Sequence, residues 1–250
     1  MNREDVNPGL PRLRRPRAIL FDVYDTLFIN GVEEWVGTFE RICRAQSLQI
    51  GAKELWTHWK RIEVGFRQRR TNLADPSMSP PFKSYAVAWT ECFAQTFKEL
   101  GLKGDASGAA QRSVTDMSKR PIFEDTKPAL AALRPIARLG VFSNADDAFL
   151  RPLLGDSRLE FEVVASSESA AVYKPATAAF HHLAGLMKVE TRDAWYVGDQ
   201  LHDDVLGARS VGMVAIWINR KHAPRGHDGP VPDATIDDLR QLTVLLDRST

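Results

Sequence analysis

Residues 18 to 27 read Ala18-Ile19-Leu20-Phe21-Asp22-Val23-Tyr24-Asp25-Thr26-Leu27. The apolar run at the start is too short for a helix and stops at an acidic residue, a pattern typical of a buried strand. Ligands of open α/β sheets bind beyond the carboxyl ends of the strands, so Asp22 lies where chemistry is expected. We therefore take Asp22 as the candidate nucleophile. The alternative is that Asp22 only ends a strand and that Asp25 and Thr26 cap a helix.

Composition narrows the classes of partner. The chain has 250 residues, 44% of them apolar, enough for one large domain or a domain with an insertion. Lys and Arg number 33 against 32 for Asp and Glu, so no global field favours nucleic acid or an anionic membrane. The sequence has no apolar run of membrane-spanning length, and prolines and arginines occupy the N-terminus. We expect a cytoplasmic protein that binds a small molecule.

Periodicity divides the chain into four parts. Residues 1–16 are rich in Pro and Arg and are predicted to be a flexible basic segment. Residues 17–30 and 119–250 alternate strand and helix patterns, which indicates parallel βαβ units. Residues 31–118 have only helical periodicity, so a helical bundle interrupts the sheet after its first strand. The predicted fold is an α/β, Rossmann-like parallel sheet with an inserted α-helical cap domain.

The remaining elements follow from local patterns. Further strands are predicted at Leu139–Phe142, Phe161–Ala165, Ala194–Gly198 and Met213–Ile218. Helices outside the insertion are predicted at Thr126–Arg138, Asp146–Leu154, Ala176–Met187, Asp204–Val211 and Ile236–Leu246.

Reactive residue types follow several of these strands. They are Asp22, the pair Ser143 and Asn144, Lys174, and Asp199 with Asp203 and Asp204. If they converge, they supply carboxylates for a hard cation, a hydroxyl, an amide and one ammonium group. Such a set suits phosphoryl transfer, in which an aspartate attacks phosphorus while Mg²⁺ and a lysine neutralise charge on the equatorial oxygens.

The motifs resemble those of the haloacid dehalogenase-like (HAD) hydrolase superfamily, in the subfamily with a helical cap inserted after the first motif. The matching strings are Phe21-Asp22-Val23-Tyr24-Asp25-Thr26-Leu27, Val141-Phe142-Ser143-Asn144, Tyr173-Lys174-Pro175 and Val197-Gly198-Asp199 through Asp204 to Gly207-Ala208. With the cap, the resemblance covers about residues 17–220, and the four motifs together are specific although each alone is weak.

The resemblance implies roles for the motif residues. Asp22 would be the nucleophile and would bind Mg²⁺ together with Asp199 and the main-chain oxygen of Tyr24. Asp204, or alternatively Asp203, would support the metal through water. Six residues would hold the transferring group or border the substrate. This expected catalytic and substrate-binding set is Thr26, Ser143, Asn144, Lys174, Tyr24 and Asp25.

Tyr24 departs from the phosphatase pattern. Related phosphatases carry an aspartate there, which protonates the leaving oxygen, and losing such an acid costs about 10² to 10⁴ in rate. Haloacid dehalogenases carry Tyr there, since halide needs no proton to leave. They work without metal, however, and replace the acidic Gly-Asp that this chain keeps as Gly198-Asp199. The first arginine after Thr26 is Arg41, so no nearby arginine is evident for a substrate carboxylate.

Three hypotheses remain. The preferred one is a Mg²⁺-dependent phosphatase acting on a small phosphorylated metabolite through an aspartyl-phosphate on Asp22. The alternatives are hydrolytic dehalogenation of a 2-haloacid and a catalytically weak binding protein that lacks the acid at Tyr24. Trp35, Phe66 and Arg67 are candidates for lining the substrate cleft, with packing the favoured role of Trp35 and Phe66. The sequence makes no prediction of oligomeric state.

Overall fold

The computed structural model describes residues 13–249 of the chain. One sheet of six strands runs in the order β3-β2-β1-β4-β5-β6, and every neighbouring pair is parallel. The strands are β1 (Ala18–Phe21), β2 (Arg138–Ser143), β3 (Val163–Ser166), β4 (Ala194–Gly198), β5 (Val214–Ile218) and β6 (Ala234–Ile236). The predicted α/β class is confirmed.

Helices connect the strands and cover the sheet. They are α1 (Val32–Ala45), α2 (Ala52–Arg69), α3 (Tyr85–Glu99), α4 (Ala106–Met117), α5 (Thr126–Leu133), α6 (Asp147–Asp156), α7 (Ser167–Ala170), α8 (Thr177–Met187), α9 (Gly207–Ser210) and α10 (Gln241–Asp247). A π-helical turn, Leu201–Leu206, precedes α9, and short 3₁₀ turns lie at Pro76–Met78 and Thr191–Asp193. Within residues 13–249, no helix has both the length and the apolar character that crossing a membrane requires.

Strand β1 lies at the centre of the sheet, between β2 and β4, and its residues are fully buried. Ile19 and Phe21 belong to one apolar cluster, whereas Ala18 and Leu20 belong to a second one. Because both faces of a parallel sheet are covered, the strand needs apolar residues at every position. This explains the continuous apolar run in the sequence.

The insertion consists of α1 to α4, between β1 and β2 in the chain. The rings of Phe39, Trp59 and Phe93 form its centre, with each pair of centroids 5.4 Å apart. Trp89 on α3 stacks on Phe149 of α6 at 5.6 Å, with the ring planes 17° apart. The inserted helices therefore pack directly against the sheet domain. The division at residues 30/31 and 118/119 stays a prediction.

Two predicted helices need correction. Ile236, the first residue of the predicted helix Ile236–Leu246, is instead the last residue of β6, and α10 starts only at Gln241. The three residues of β6 are too few for a periodic signal, and their pairing with β5 is a tertiary interaction. The helix predicted over Thr126–Arg138 ends at Leu133, because Pro135 cannot continue it and Arg138 already pairs in β2.

Most of the predicted flexible segment, residues 1–16, lies outside the described residues. Of the described part, Leu13 is buried and the Arg14 carbonyl accepts a hydrogen bond of 2.8 Å from the Trp195 indole nitrogen. Arg14 also pairs with Asp193 at 2.8 Å. Residues 13–16 thus pack along the amino-terminal edge of β4.

Asp146 provides a polar connection between the sheet domain and the insertion, and we predict that removing it destabilises the protein. Its buried carboxylate accepts hydrogen bonds of 2.7 and 2.8 Å from the backbone nitrogens of Tyr85 and Ala86, in the first turn of α3. Asp146→Ala should lower the free energy of unfolding by about 1–3 kcal/mol, since the buried N–H of Tyr85 and the partly buried N–H of Ala86 lose their acceptor. Urea denaturation measures this change. The exposed Asp156→Ala control should change it by less than about 0.5 kcal/mol; equal effects of the two variants would contradict the prediction.

Candidate active site

Three carboxylates meet at the carboxyl edge of the sheet. Asp22 follows β1, Asp199 follows β4, and Asp204 lies in the π-helical turn after β4. One oxygen from each of the three lies within 4.8 Å of the others. Because β1 and β4 are parallel neighbours, with Phe21 opposite Val197, their terminal residues reach the same edge.

Gly198 makes the close approach of Asp204 feasible. A Cβ atom at position 198 would lie 2.3 Å from Cγ of Asp204, well inside van der Waals contact. The backbone nitrogen of Gln200 donates a hydrogen bond of 2.9 Å to the other side of the same carboxylate, Oδ2. A residue larger than glycine at 198 would therefore displace Asp204 from the cluster.

The ammonium group of Lys174 joins two of the carboxylates. Its Nζ lies 2.7 Å from Oδ1 of Asp22, 2.7 Å from Oδ1 of Asp204 and 2.8 Å from the hydroxyl of Tyr196. Burial lowers the pKa of Lys174, but the negative charges of Asp204 and Asp22 outweigh it and hold this pKa well above its usual value. The Ser143 hydroxyl also donates to Oδ1 of Asp22, at 3.1 Å. Asp22 is thus held by a cation and a hydroxyl.

The cluster carries more negative charge than Lys174 can balance. Burial, followed by the charges of Asp204 and Asp22, raises the pKa of Asp199 well above its ordinary value. Burial likewise raises the pKa of Asp204 to about 6, although Lys174 opposes the shift. A divalent cation would relieve this repulsion, and carboxylate oxygens are the donors that Mg²⁺ prefers. The Tyr24 carbonyl oxygen accepts no hydrogen bond from any residue in 13–249, so it is available as a further metal ligand. The donor set therefore fits Mg²⁺.

Asp203 points away from this cluster. Its Oδ2 accepts hydrogen bonds from Arg70 at 2.7 Å, from Asn144 at 3.1 Å and from Arg67 at 3.4 Å. Burial raises the pKa of Asp203, but hydrogen bonding from His202 and the charges of Arg70 and Arg67 bring it below the ordinary value. Of the two acids that the sequence left open, Asp204 lies with Asp22 and Asp199, whereas Asp203 pairs with arginines of the insertion.

Asn144 positions the backbone of Lys174. Its Oδ1 accepts a hydrogen bond of 2.8 Å from the Lys174 backbone nitrogen, and its Nδ2 donates one of 3.1 Å to the Lys174 carbonyl. The same Nδ2 also donates to Asp203. The side chain of Asn144 therefore orients the backbone segment that carries Lys174.

Thr26 and Asp25 differ in whether their side chains have partners. The Thr26 side chain is fully buried, and its Oγ1 has no hydrogen-bond partner among the described residues. Asp25 has φ of 60°, in the left-handed region, and its carboxylate accepts from the Asn30 backbone nitrogen at 3.1 Å and pairs with Lys221 at 3.6 Å. Asp25 borders the cavity but already has partners, so it is no simple replacement for the acid missing at Tyr24.

A cavity of about 410 Å³ opens over the acidic cluster. Arg67 and Trp35 line it, although the sequence favours a packing role for Trp35. Phe66 does not line it and packs edge-on against Tyr85 and Tyr173, in line with the packing role favoured for it. Arg41, the first arginine after Asp22, pairs with Asp116 at 2.8 Å and is not part of the lining. An arginine does face the cavity, but it comes from α2 of the insertion.

Two residues of the site carry no recognisable signal in the sequence. Tyr196 lies within the apolar run of β4. Because every residue of that strand is buried, the sequence has no alternation of polar and apolar residues that would indicate a contact between its hydroxyl and Lys174. Arg70 directly follows α2 and is 7% exposed, yet it donates to Asp203, to the Tyr85 hydroxyl at 2.5 Å and to the Lys174 carbonyl at 3.4 Å. At the level of sequence it is one of several arginines near the end of a helix.

The parallel sheet, the inserted helices and the acidic cluster after β1 define an α/β protein with a helical insertion and a candidate aspartate nucleophile. The chain belongs to the haloacid dehalogenase-like hydrolase family, whose model matches residues 16–212.

Known relatives include different activities. The haloacid dehalogenase-like hydrolase domain-containing protein 3 of Xenopus laevis is 32% identical over 227 residues, which cover 84% of this chain and 86% of that protein. Haloacetate dehalogenase H-2 of Moraxella sp. (strain B) is 25% identical, covering 94% and 99% of the two chains. Phosphoserine phosphatase of Thermus thermophilus is 26% identical, covering 66% and 69%. In three dimensions, the HAD-hydrolase YfnB of Bacillus subtilis has a TM-score of 0.77 at 19% identity, covering 94% of this chain and all of that one, which supports the fold.

We predict that Asp204 and Asp203 contribute differently to magnesium binding. Saturating Mg²⁺ should raise the Tm of the wild-type protein, since a ligand at 100 times its Kd adds about 2.7 kcal/mol of stability. Asp204→Asn should greatly reduce this rise, because it removes a charge from the cluster. The adjacent control, Asp203→Asn, should keep it. Thermal unfolding with and without Mg²⁺ measures both, and an equal loss in the two variants would contradict the assignment of Asp204.

We also predict that Arg70 is required for stability. Arg70→Gln removes the closest cation from the largely buried Asp203 carboxylate, and breaking a buried pair costs about 3 kcal/mol or more. Arg69→Gln, an exposed neighbour on the same helix, is the matched control. Chemical denaturation should separate the two variants clearly; a loss below about 0.5 kcal/mol for Arg70→Gln would show that the pair contributes little.

Proposed function

We propose that the protein is a Mg²⁺-dependent phosphatase that hydrolyses a small phosphorylated metabolite, with Asp22 as nucleophile. The proposal rests on one observation above all. Three carboxylates lie within 4.8 Å of one another, and Lys174 is the cation paired with them among the described residues. A metal-free reaction would leave this excess negative charge beside the nucleophile, whereas a bound Mg²⁺ would offset it before the phosphoryl dianion enters.

The residues of the chain account for the steps of this reaction. The Asp22 carboxylate attacks phosphorus, the bond to the leaving oxygen breaks, and water then hydrolyses the aspartyl-phosphate to phosphate and free Asp22. Lys174 and the Ser143 hydroxyl hold the attacking carboxylate in place. When bound, Mg²⁺ supplies Lewis-acid stabilisation of charge on the phosphoryl oxygens. Asn144 keeps the Lys174 backbone oriented throughout.

Dehalogenation of a 2-haloacid is the second candidate. Tyr24 stands where the resemblance places Tyr in dehalogenases, and Arg67 lines the cavity, where it could bind a substrate carboxylate. The Moraxella relative is a haloacetate dehalogenase. Against this candidate, the chain keeps Asp199 and Asp204 beside the nucleophile. Halide release from a 2-haloacid that EDTA does not affect would favour dehalogenation over phosphatase activity.

The phosphatase proposal predicts that the purified protein hydrolyses para-nitrophenyl phosphate with Mg²⁺ and stops when EDTA is added. Asp22→Asn should lower kcat by about 10³-fold or more, since the amide is not a nucleophile. Asp156→Asn, at an exposed position, should retain wild-type activity. The absence of turnover on a broad panel of phosphate esters would contradict the proposal.

The same assay distinguishes a third hypothesis, a binding protein with weak residual activity. Tyr24→Asp installs the missing acid on the same backbone. A large gain in phosphatase rate would show that the catalytic scaffold is intact, whereas inactivity of both forms would favour a binding role.

A further inference from the structure

A continuous wall of aromatic rings begins two residues after the nucleophile. Tyr24 contacts Phe149 with centroids 6.0 Å apart, Phe149 stacks on Trp89 at 5.6 Å, and Trp89 meets Trp35 edge-on at 5.6 Å. All four side chains line the cavity over the acidic cluster. The wall therefore extends from the first motif into the insertion. Phe149 and Trp89 are almost fully buried, so Trp35, which is partly exposed, and the edge of Tyr24 are the apolar surface that a leaving group can contact.

No carboxylic acid stands ready at this wall to protonate a leaving oxygen. The Tyr24 hydroxyl is directed at the Met117 carbonyl oxygen, 3.4 Å away. The cavity-lining carboxylates outside the acidic cluster are each paired with a cation. The pairs are Asp25 with Lys221 at 3.6 Å, Glu63 with Lys60 at 2.7 Å, and Asp203 with Arg70 at 2.7 Å. Among residues 13–249, no cavity-lining carboxyl group outside the acidic cluster is therefore without a cation partner, and this favours a leaving group that is stable as an anion.

Arg67 adds a positive group to the same cavity. Its side chain is 35% exposed, and its contact with Asp203 is long, at 3.4 Å. Arginine has five N–H donors in a fork that fits a carboxylate, and most of those of Arg67 remain available. Lys60 is equally exposed but is already held by Glu63 at 2.7 Å. Arg67 is therefore the better placed of the two to bind an anionic substituent of the substrate.

We infer that the substrate is an aryl or enol phosphate whose planar leaving group carries a carboxylate bound by Arg67. This inference rests on the proposed phosphatase function and specifies its substrate class. An oxygen of Asp22 forms the new bond to phosphorus, and the P–O bond to the leaving group breaks. The leaving oxygen keeps the electron pair and departs as a phenolate or enolate. Water then cleaves the aspartyl-phosphate, so no oxidant, reductant or additional co-substrate is needed.

Three phosphate esters of similar size test the inference on the Mg²⁺-loaded enzyme: phenyl phosphate, cyclohexyl phosphate and 4-carboxyphenyl phosphate. Phenyl phosphate should exceed cyclohexyl phosphate in kcat/KM by about 10³-fold or more, since only the phenolate leaves readily without a proton. Tyr24→Asp should reduce this ratio by accelerating the cyclohexyl ester. A ratio below about tenfold in the wild-type enzyme would overturn the assignment of the leaving group.

The carboxyl group provides the second readout. 4-Carboxyphenyl phosphate should exceed phenyl phosphate by about 10- to 100-fold in kcat/KM, mainly through KM. Arg67→Gln should bring that preference close to one, and Arg67→Lys should retain part of it. Arg61→Gln, an exposed arginine on the same helix that pairs with Glu99, should leave the preference unchanged. A preference that is absent, or that survives in Arg67→Gln, would overturn the role of Arg67.

The outcomes separate this inference from the proposal beneath it. If para-nitrophenyl phosphate and all three esters fail with Mg²⁺, the phosphatase function itself is wrong and the substrate class falls with it. If the esters are hydrolysed without a planar or carboxylate preference, the phosphatase function stands and only the substrate class is wrong.

Discussion

The buried ammonium group of Lys174 is the interaction on which the site depends. It joins the end of β1 to the turn after β4 through Asp22 and Asp204, and Tyr196 completes its partners from within the sheet. Burying one cation among several carboxylates is costly unless every group is paired, because each ion loses its hydration. With Asp199 also present, the paired state is incomplete without further positive charge. The fold thus leaves unbalanced negative charge at the place where a hard cation would bind.

Two adjacent aspartates have opposite roles because of the π-helical turn that carries them. Asp204 faces the sheet and reaches Lys174, whereas Asp203 faces the insertion and reaches Arg70. Asn144 contacts both Asp203 and the backbone of Lys174, so the two networks share a residue. A displacement of α2 would therefore act on the segment that positions the lysine. This coupling gives the insertion a structural influence on the chemistry as well as on the shape of the cavity.

The sequence predicted the parts of the molecule that depend on local patterns or on motifs. Strand β4 and the alternation of strands with helices follow from apolar runs, and Asp22 follows from the position of its strand. Strand β6 escaped prediction because its existence depends on pairing with β5. The choice between Asp203 and Asp204 also stayed open, since the helical turn had to be located before either carboxylate could be oriented. Arg70 could not be predicted as a site residue, because its partners there lie more than 100 residues away in the sequence.

Tyr24 accounts for two unusual features of the site, the missing acid and the row of aromatic contacts. Replacing an acid by a ring removes a proton donor, and taken alone this would weaken a phosphatase. The same ring also continues the contacts from Phe149 to Trp89, which carry apolar surface from the nucleophile into the insertion. An aspartate at this position would interrupt that surface and place another negative charge beside Asp22, Asp199 and Asp204. In the proposed reaction, the missing acid and the aromatic contacts of Tyr24 therefore favour the same property of the substrate, a planar leaving group that departs without a proton.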